Sequence, residues 1–134
     1  HPGVIGIGAA IKHFEKTKAL PGWKRYSYGY HGDDGGFYFQ NGWTYTFKEK
    51  WGLHDTIGCG FDFQEKEMFF TKNGNFIGVI PYPDIEAQMF FPTIGMRSNS
   101  AKCSVNFGKE PFRFDVIAYI DKKCELTDHP LKNP

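Results

Sequence analysis

Hydrophobic and polar residues alternate along this chain in short runs, each cut off by turn-forming residues. Alternation with a period of two puts every second side chain on one face of a strand, so each run predicts a strand with one apolar face. Val4-Ile5-Gly6-Ile7-Gly8 opens the series, and Pro21-Gly22 marks a turn. Tyr26, Tyr28 and Tyr30 then alternate with Ser27, Gly29 and His31, which sets the three rings on one side. His31 to Gly36 is a polar, glycine-rich loop, and Trp43, Tyr45 and Phe47 alternate with Thr44 and Thr46 beyond it. Ile57, Cys59, Phe61 and Phe63 line one face of the next strand. Gly58 and Gly60 share its other face, where missing side chains predict close approach by a backbone or by large neighbours. Met68-Phe69-Phe70-Thr71 and Phe76-Ile77-Gly78-Val79 flank Asn73-Gly74, the pair best suited to a tight hairpin. Phe90 to Met96 is a further strand, with Pro92 implying an edge or a bulge.

The cleanest alternation comes late. Ala101, Cys103, Val105 and Phe107 face Lys102, Ser104 and Asn106, which predicts a strand with one buried and one wet face. Ile117 to Cys124 predicts a short helix, with Lys122 and Lys123 near the end where cations suit the helix dipole. The fold class expected is therefore all-β, an antiparallel two-sheet sandwich over residues 1–120. Residues 121–134, which include Pro130 and Pro134, are expected to form an irregular tail after the short helical stretch.

Composition narrows the function classes. A chain of 134 residues suits one domain with a modest core. A formal charge of +1 gives no electrostatic footprint for nucleic acid. Lys24 with Arg25, and Lys48 with Lys50, are local pairs rather than a stripe, so the rings are expected to fill a core rather than stack bases. The chain has no apolar run long enough to span a membrane. Cys59, Cys103 and Cys124 are odd in number and far apart, which favours reduced thiols and a cytoplasmic setting, with the nucleus as a further compartment.

Candidate chemistry is sparse. His31, Asp33 and Asp34 offer oxygen and nitrogen ligands, but too few for a hard cation, and read as a polar loop whose Asp side chains cap their own turns. The histidines lack zinc-ligand spacing. Cys59 and Cys103 fall on apolar strand faces and read as buried, inert thiols. Ser98 and Ser100 lack the elbow that activates a serine nucleophile. No catalytic residue, metal site or cofactor is expected.

The motifs, in order, resemble the SPRY domain, closest to the branch of Ran-binding-protein-M and glucose-induced-degradation scaffold proteins. They are Leu20-Pro21-Gly22-Trp23, Ser27-Tyr28-Gly29-Tyr30-His31-Gly32-Asp33-Asp34-Gly35, Asp55-Thr56-Ile57-Gly58-Cys59-Gly60, Phe69-Phe70-Thr71-Lys72-Asn73-Gly74, Phe91-Pro92-Thr93-Ile94-Gly95 and Val105-Asn106-Phe107-Gly108. The resemblance implies a lectin-like, concanavalin-type jelly roll that binds short peptide segments of partner proteins through loops at one edge, as in ubiquitin-ligase scaffolds and substrate adaptors. It places Tyr38, Phe39, Met96, Arg97 and Ser98 at peptide contacts; His31, Asp33 and Asp34 of the polar loop are candidate further contacts, since loops on a rigid sandwich carry recognition residues. Trp23 and Tyr30 read as structural. The family's domain normally begins with strands before Ile5, and the segment from Phe47 to His54 departs from the family pattern. Without those first strands, the strand at Val4 is expected to have an unpaired edge and an open apolar face, and the otherwise monomeric domain to associate. A carbohydrate-binding module and a secreted effector using the same fold are the alternative readings.

Overall fold

The computed structural model describes residues 4–81, 89–97 and 100–128, with side chains left aside at 15, 16 and 125–128. Among the described residues, eight strands form two antiparallel sheets. They are β1 (Ile5–Ile11), β2 (Ser27–His31), β3 (Gly36–Phe39), β4 (Trp43–Phe47), β5 (Ile57–Asp62), β6 (Glu67–Lys72), β7 (Asn75–Pro81) and β8 (Phe90–Met96). One sheet runs β4-β3-β2-β1-β8 and the other β5-β6-β7. A helix, α1 (Val116–Asp128), follows.

The register explains the core. Ala9 lies opposite Tyr28, Tyr30 opposite Phe37, and Phe70 opposite Gly78, so period-two alternation turns one set of side chains inward from each sheet. Ala9, Tyr28, Tyr30 and Phe37 from the larger sheet meet Met68, Phe70 and Ile80 from the smaller one. Their rings meet edge-on or tilted, as Tyr30–Phe37 and Phe37–Phe70 do at 4.9 Å. The Tyr30 hydroxyl donates to the Glu49 carbonyl, and burial, with Glu49 and Asp55 adding to it, pushes this phenol up to about 12.

The Asn73-Gly74 hairpin forms as predicted, with φ of 51° and 85°. Gly58 and Gly60 also do what their face predicts. A Cβ on Gly60 would stand 2.3 Å from the Phe69 ring, and one on Gly58 would stand 2.2 Å from Thr71 Oγ1. Phe69 lies on the outer face of the smaller sheet, where it packs with Phe76, Phe114 and Tyr119. That cluster seats α1, and Lys123 of the helix bridges Asp62 and Glu67. Helix α1 is thus longer than expected: residues 121–128 continue it rather than forming an irregular tail, while 129–134 lie outside the described residues. The segment from Phe47 to His54 is anchored by Trp51 packed edge-on against Tyr30 and by the Trp51 backbone N–H donating to the Gly32 carbonyl.

Three expectations are corrected. Strand β1 has no free edge: it lies between β2 and β8. Among the described residues the outermost strands are β4 and β8 in the larger sheet and β5 and β7 in the smaller one. Second, residues 101–107 carry the cleanest alternation yet join no strand ladder among the described residues, and Phe107 is 76% exposed. Third, Cys59 and Cys103 are exposed rather than core. Cys59 lies opposite the fully buried Phe70, so it faces inward, but the edge strand that carries it has no neighbouring strand on its far side among the described residues. Its sulfur is nonetheless crowded enough by protein that the thiol is pushed up to about 12 and stays protonated near neutral pH. Cys103 Sγ approaches Met96 Sδ at 3.9 Å. The common cause is unequal sheets. β8 meets Phe61 of β5 at its Phe90 end, but toward Met96 its inner side chains, Ile94 and Met96, stay partly open.

Candidate functional site

The outer face of the larger sheet brings together residues from well-separated parts of the chain. Pro21-Gly22 turns the chain so that Trp23 lies against the end of β2, where its ring meets His31 edge-on at 5.6 Å. His31 points outward from β2 because Tyr30 before it points into the core. Its Nε2 donates to the Pro21 carbonyl at 2.7 Å, which ties the turn to the strand. The other flank of the imidazole stacks on Tyr38 of β3, with centroids 4.3 Å apart.

Asp34 fixes Tyr38 from its far end. One carboxylate oxygen accepts from the Gly36 N–H at 2.7 Å and the other from the Tyr38 hydroxyl. Asp34 thus caps its own turn, as the polar-loop reading predicts. Beyond β8, the Arg97 N–H donates to the Val4 carbonyl at 2.9 Å, and the guanidinium lies 4.9 Å from the Trp23 ring centre. The assembled surface is a row of planar groups, Arg97, Trp23, His31 and Tyr38, closed at one end by Asp34.

The electrostatics follow from this packing. Burial pushes the His31 imidazole below its ordinary 6.5, against the opposing pull of the Pro21 hydrogen bond, Asp34 and Asp33. Burial also raises the Tyr38 phenol, helped by its bond to Asp34. Asp33 Oδ1 is buried without a hydrogen-bond partner. Among the described residues, no group of metal-ligating side chains converges here or elsewhere.

The expected contact residues divide. His31, Asp34, Tyr38 and Arg97 come together, with Asp33 in the adjoining turn. Phe39 does not join them: it neighbours Tyr38 on one strand and therefore points to the opposite face, where it packs on the core. Met96 likewise faces inward, opposite Ile5, and touches Cys103. Ser98 lies outside the described residues. Trp23, expected to be structural, also lies on this surface, between His31 and Arg97. Arg97 is remote from it in sequence, and no local pattern signals their meeting.

The SPRY domain model matches residues 1–110. This chain belongs to the SPRY domain family. SPRY domains are protein-interaction modules. Among curated relatives, the chain is 37% identical to the Ran-binding proteins 9/10 homolog of Drosophila melanogaster, over 97% of its own length and 13% of that protein. It is 42% identical to the Ran-binding protein M homolog of Arabidopsis thaliana, over 87% of its own length and 24% of that protein. The chain therefore spans a quarter or less of these relatives. A crystal structure of a human SPRY domain superposes with a TM-score of 0.55 at 30% identity, covering 71% of this chain and 61% of the other. The two-sheet architecture described above is thus the SPRY sandwich.

Proposed function

We propose that this SPRY domain binds a short segment of a partner protein on the Trp23–His31–Tyr38–Arg97 surface, as the recognition module of a cytoplasmic scaffold or ubiquitin-ligase substrate adaptor, without catalysis of its own. The observation that carries this reading is the fixing of Tyr38. Its ring is stacked on His31 and its hydroxyl is held by Asp34, yet the residue remains only half-buried. Stiff aromatic area with an adjacent Arg is what interface hot spots are made of, since little side-chain entropy remains to be lost on binding.

The test is an affinity pull-down from lysate with wild type, a Tyr38→Ala/Arg97→Ala variant, and a Trp43→Ala control on the far edge of the sheet. Proteins retained by wild type and control but lost by the double variant support the surface, and ligase subunits among them support the adaptor role. Equal retention by all three moves the binding site elsewhere. One observation favours a carbohydrate-binding alternative: edge strand β4 presents Trp43, Tyr45 and Phe47 to solvent, at 68%, 50% and 62% exposure. Glycan-array binding lost in Trp43→Ala would establish that alternative.

A further inference from the structure

We infer that the partner segment carries an acidic side chain whose carboxylate pairs with Arg97. This inference rests on the peptide-recognition reading of the same surface and names the chemistry of its ligand.

Arg97 presents its guanidinium near the face of Trp23, and its backbone is pinned to Val4. A cation–ring contact takes up none of the guanidinium's N–H donors in a hydrogen bond to oxygen, and a carboxylate matches that fork with two parallel hydrogen bonds. Among the described residues, no carboxylate lies within ion-pair distance of Arg97, whereas Lys72 and Lys123 both have acidic partners. Asp34 is held by Gly36 and Tyr38 and makes no ion pair with Arg97. The indole restrains the guanidinium before any ligand arrives, so a planar anion would meet a group that has already lost much of its freedom.

The surroundings select among anions. Asp33 and Asp34 sit in the turn beside the stacked rings, and their field opposes a dianionic phosphate more than a single carboxylate. The balanced charge of the whole chain supplies no compensating basic patch. The ligand chemistry that fits is therefore one Asp or Glu side chain in an otherwise weakly charged segment, with apolar or planar neighbours lying along Trp23 and Tyr38.

The experiment uses three sets of arrayed nonapeptides. Two are acetylated and amidated, random except for a central Glu or a central Gln, and the third ends in a free C-terminal carboxylate. Each set is probed with the full chain as wild type, Tyr38→Ala, Arg97→Gln and Arg97→Lys. The expected result is about a tenfold preference of wild type for the central-Glu set, the size of one charge-assisted pair. Arg97→Gln should abolish that preference, and Arg97→Lys should restore only part of it, because an ammonium cannot form the fork. Tyr38-dependent binding that is equal for Glu and Gln overturns this inference and leaves the peptide reading intact. A preference confined to the free C-terminal carboxylate also overturns it. Absence of any Tyr38-dependent binding overturns both.

Discussion

His31 shows how one residue couples the core to the proposed recognition surface. It is held between the Trp23 edge and the Tyr38 face and donates to Pro21, all in a buried setting that disfavours its charged form. Its pKa in the folded chain lies below the unfolded value of about 6.5. Between those two values the unfolded chain holds a proton that the native chain lacks, so stability rises with pH across that window. The contribution is complete above the unfolded value and is lost as pH falls through it toward the folded one. Melting temperatures recorded from pH 7.5 down to pH 5 should therefore fall more steeply for wild type than for His31→Gln, whose amide keeps a donor for Pro21. Parallel curves would remove His31 from the account. At this scale the sequence was partly legible. That His31, Asp34 and Tyr38 are polar or amphipathic residues around a turn was plain, but that Tyr38 and Phe39 part to opposite faces follows only once β3 is known to be a strand. A short run next to a glycine-rich loop does not announce itself as one.

Among the elements, α1 depends on the sheet beneath it. The aromatic cluster of Phe69, Phe76, Phe114 and Tyr119 holds the helix, and Gly60 leaves room for the Phe69 ring. Tyr119→Ala should cost about 2 kcal/mol in urea unfolding, less than a fully buried aromatic because the residue is only partly enclosed. Amide exchange in residues 116–124 should accelerate more than exchange in β2. Uniform acceleration would mean instead that helix and sandwich unfold as one unit. Hairpin β6–β7 was legible because Asn-Gly and alternation are local signals. The segment 101–107 misled for the converse reason: alternation records that a strand would suit a half-buried surface, and says nothing about whether a partner strand is present to pair with it. The helix was read too short because its seat, the outer face of the smaller sheet, is assembled from residues far upstream.

For the whole molecule, the unequal sheets leave apolar surface uncovered around the free edge of β5, the Met96 end of β8 and the segment from Ala101 to Phe107. Exposed, unpaired strand edges with apolar side chains favour association. Sedimentation velocity over a range of concentrations should show residues 1–134 self-associating. Val105→Lys/Phe107→Glu should shift the distribution toward monomer with little change in melting temperature, since both side chains are exposed and contribute little packing. A monodisperse wild-type monomer at all concentrations would contradict this. The overall architecture was the most legible property of the sequence, because strand count and turn spacing are fixed by local composition. Which strands border which was not, because it depends on contacts between distant segments.

The central place of β1 has a consequence for how the chain comes into being. Ile5 is synthesised well before Met96, its partner across one flank. At roughly 5–20 residues per second, the ribosome leaves that flank bare for several seconds after β1 has emerged. During this interval β1 can join β2, β3 and β4 as a nascent meander, but the sandwich cannot close. The slow step of its biogenesis is thus set by the order of the message rather than by any single contact, and the growing chain is most exposed to mispairing just before β8 arrives.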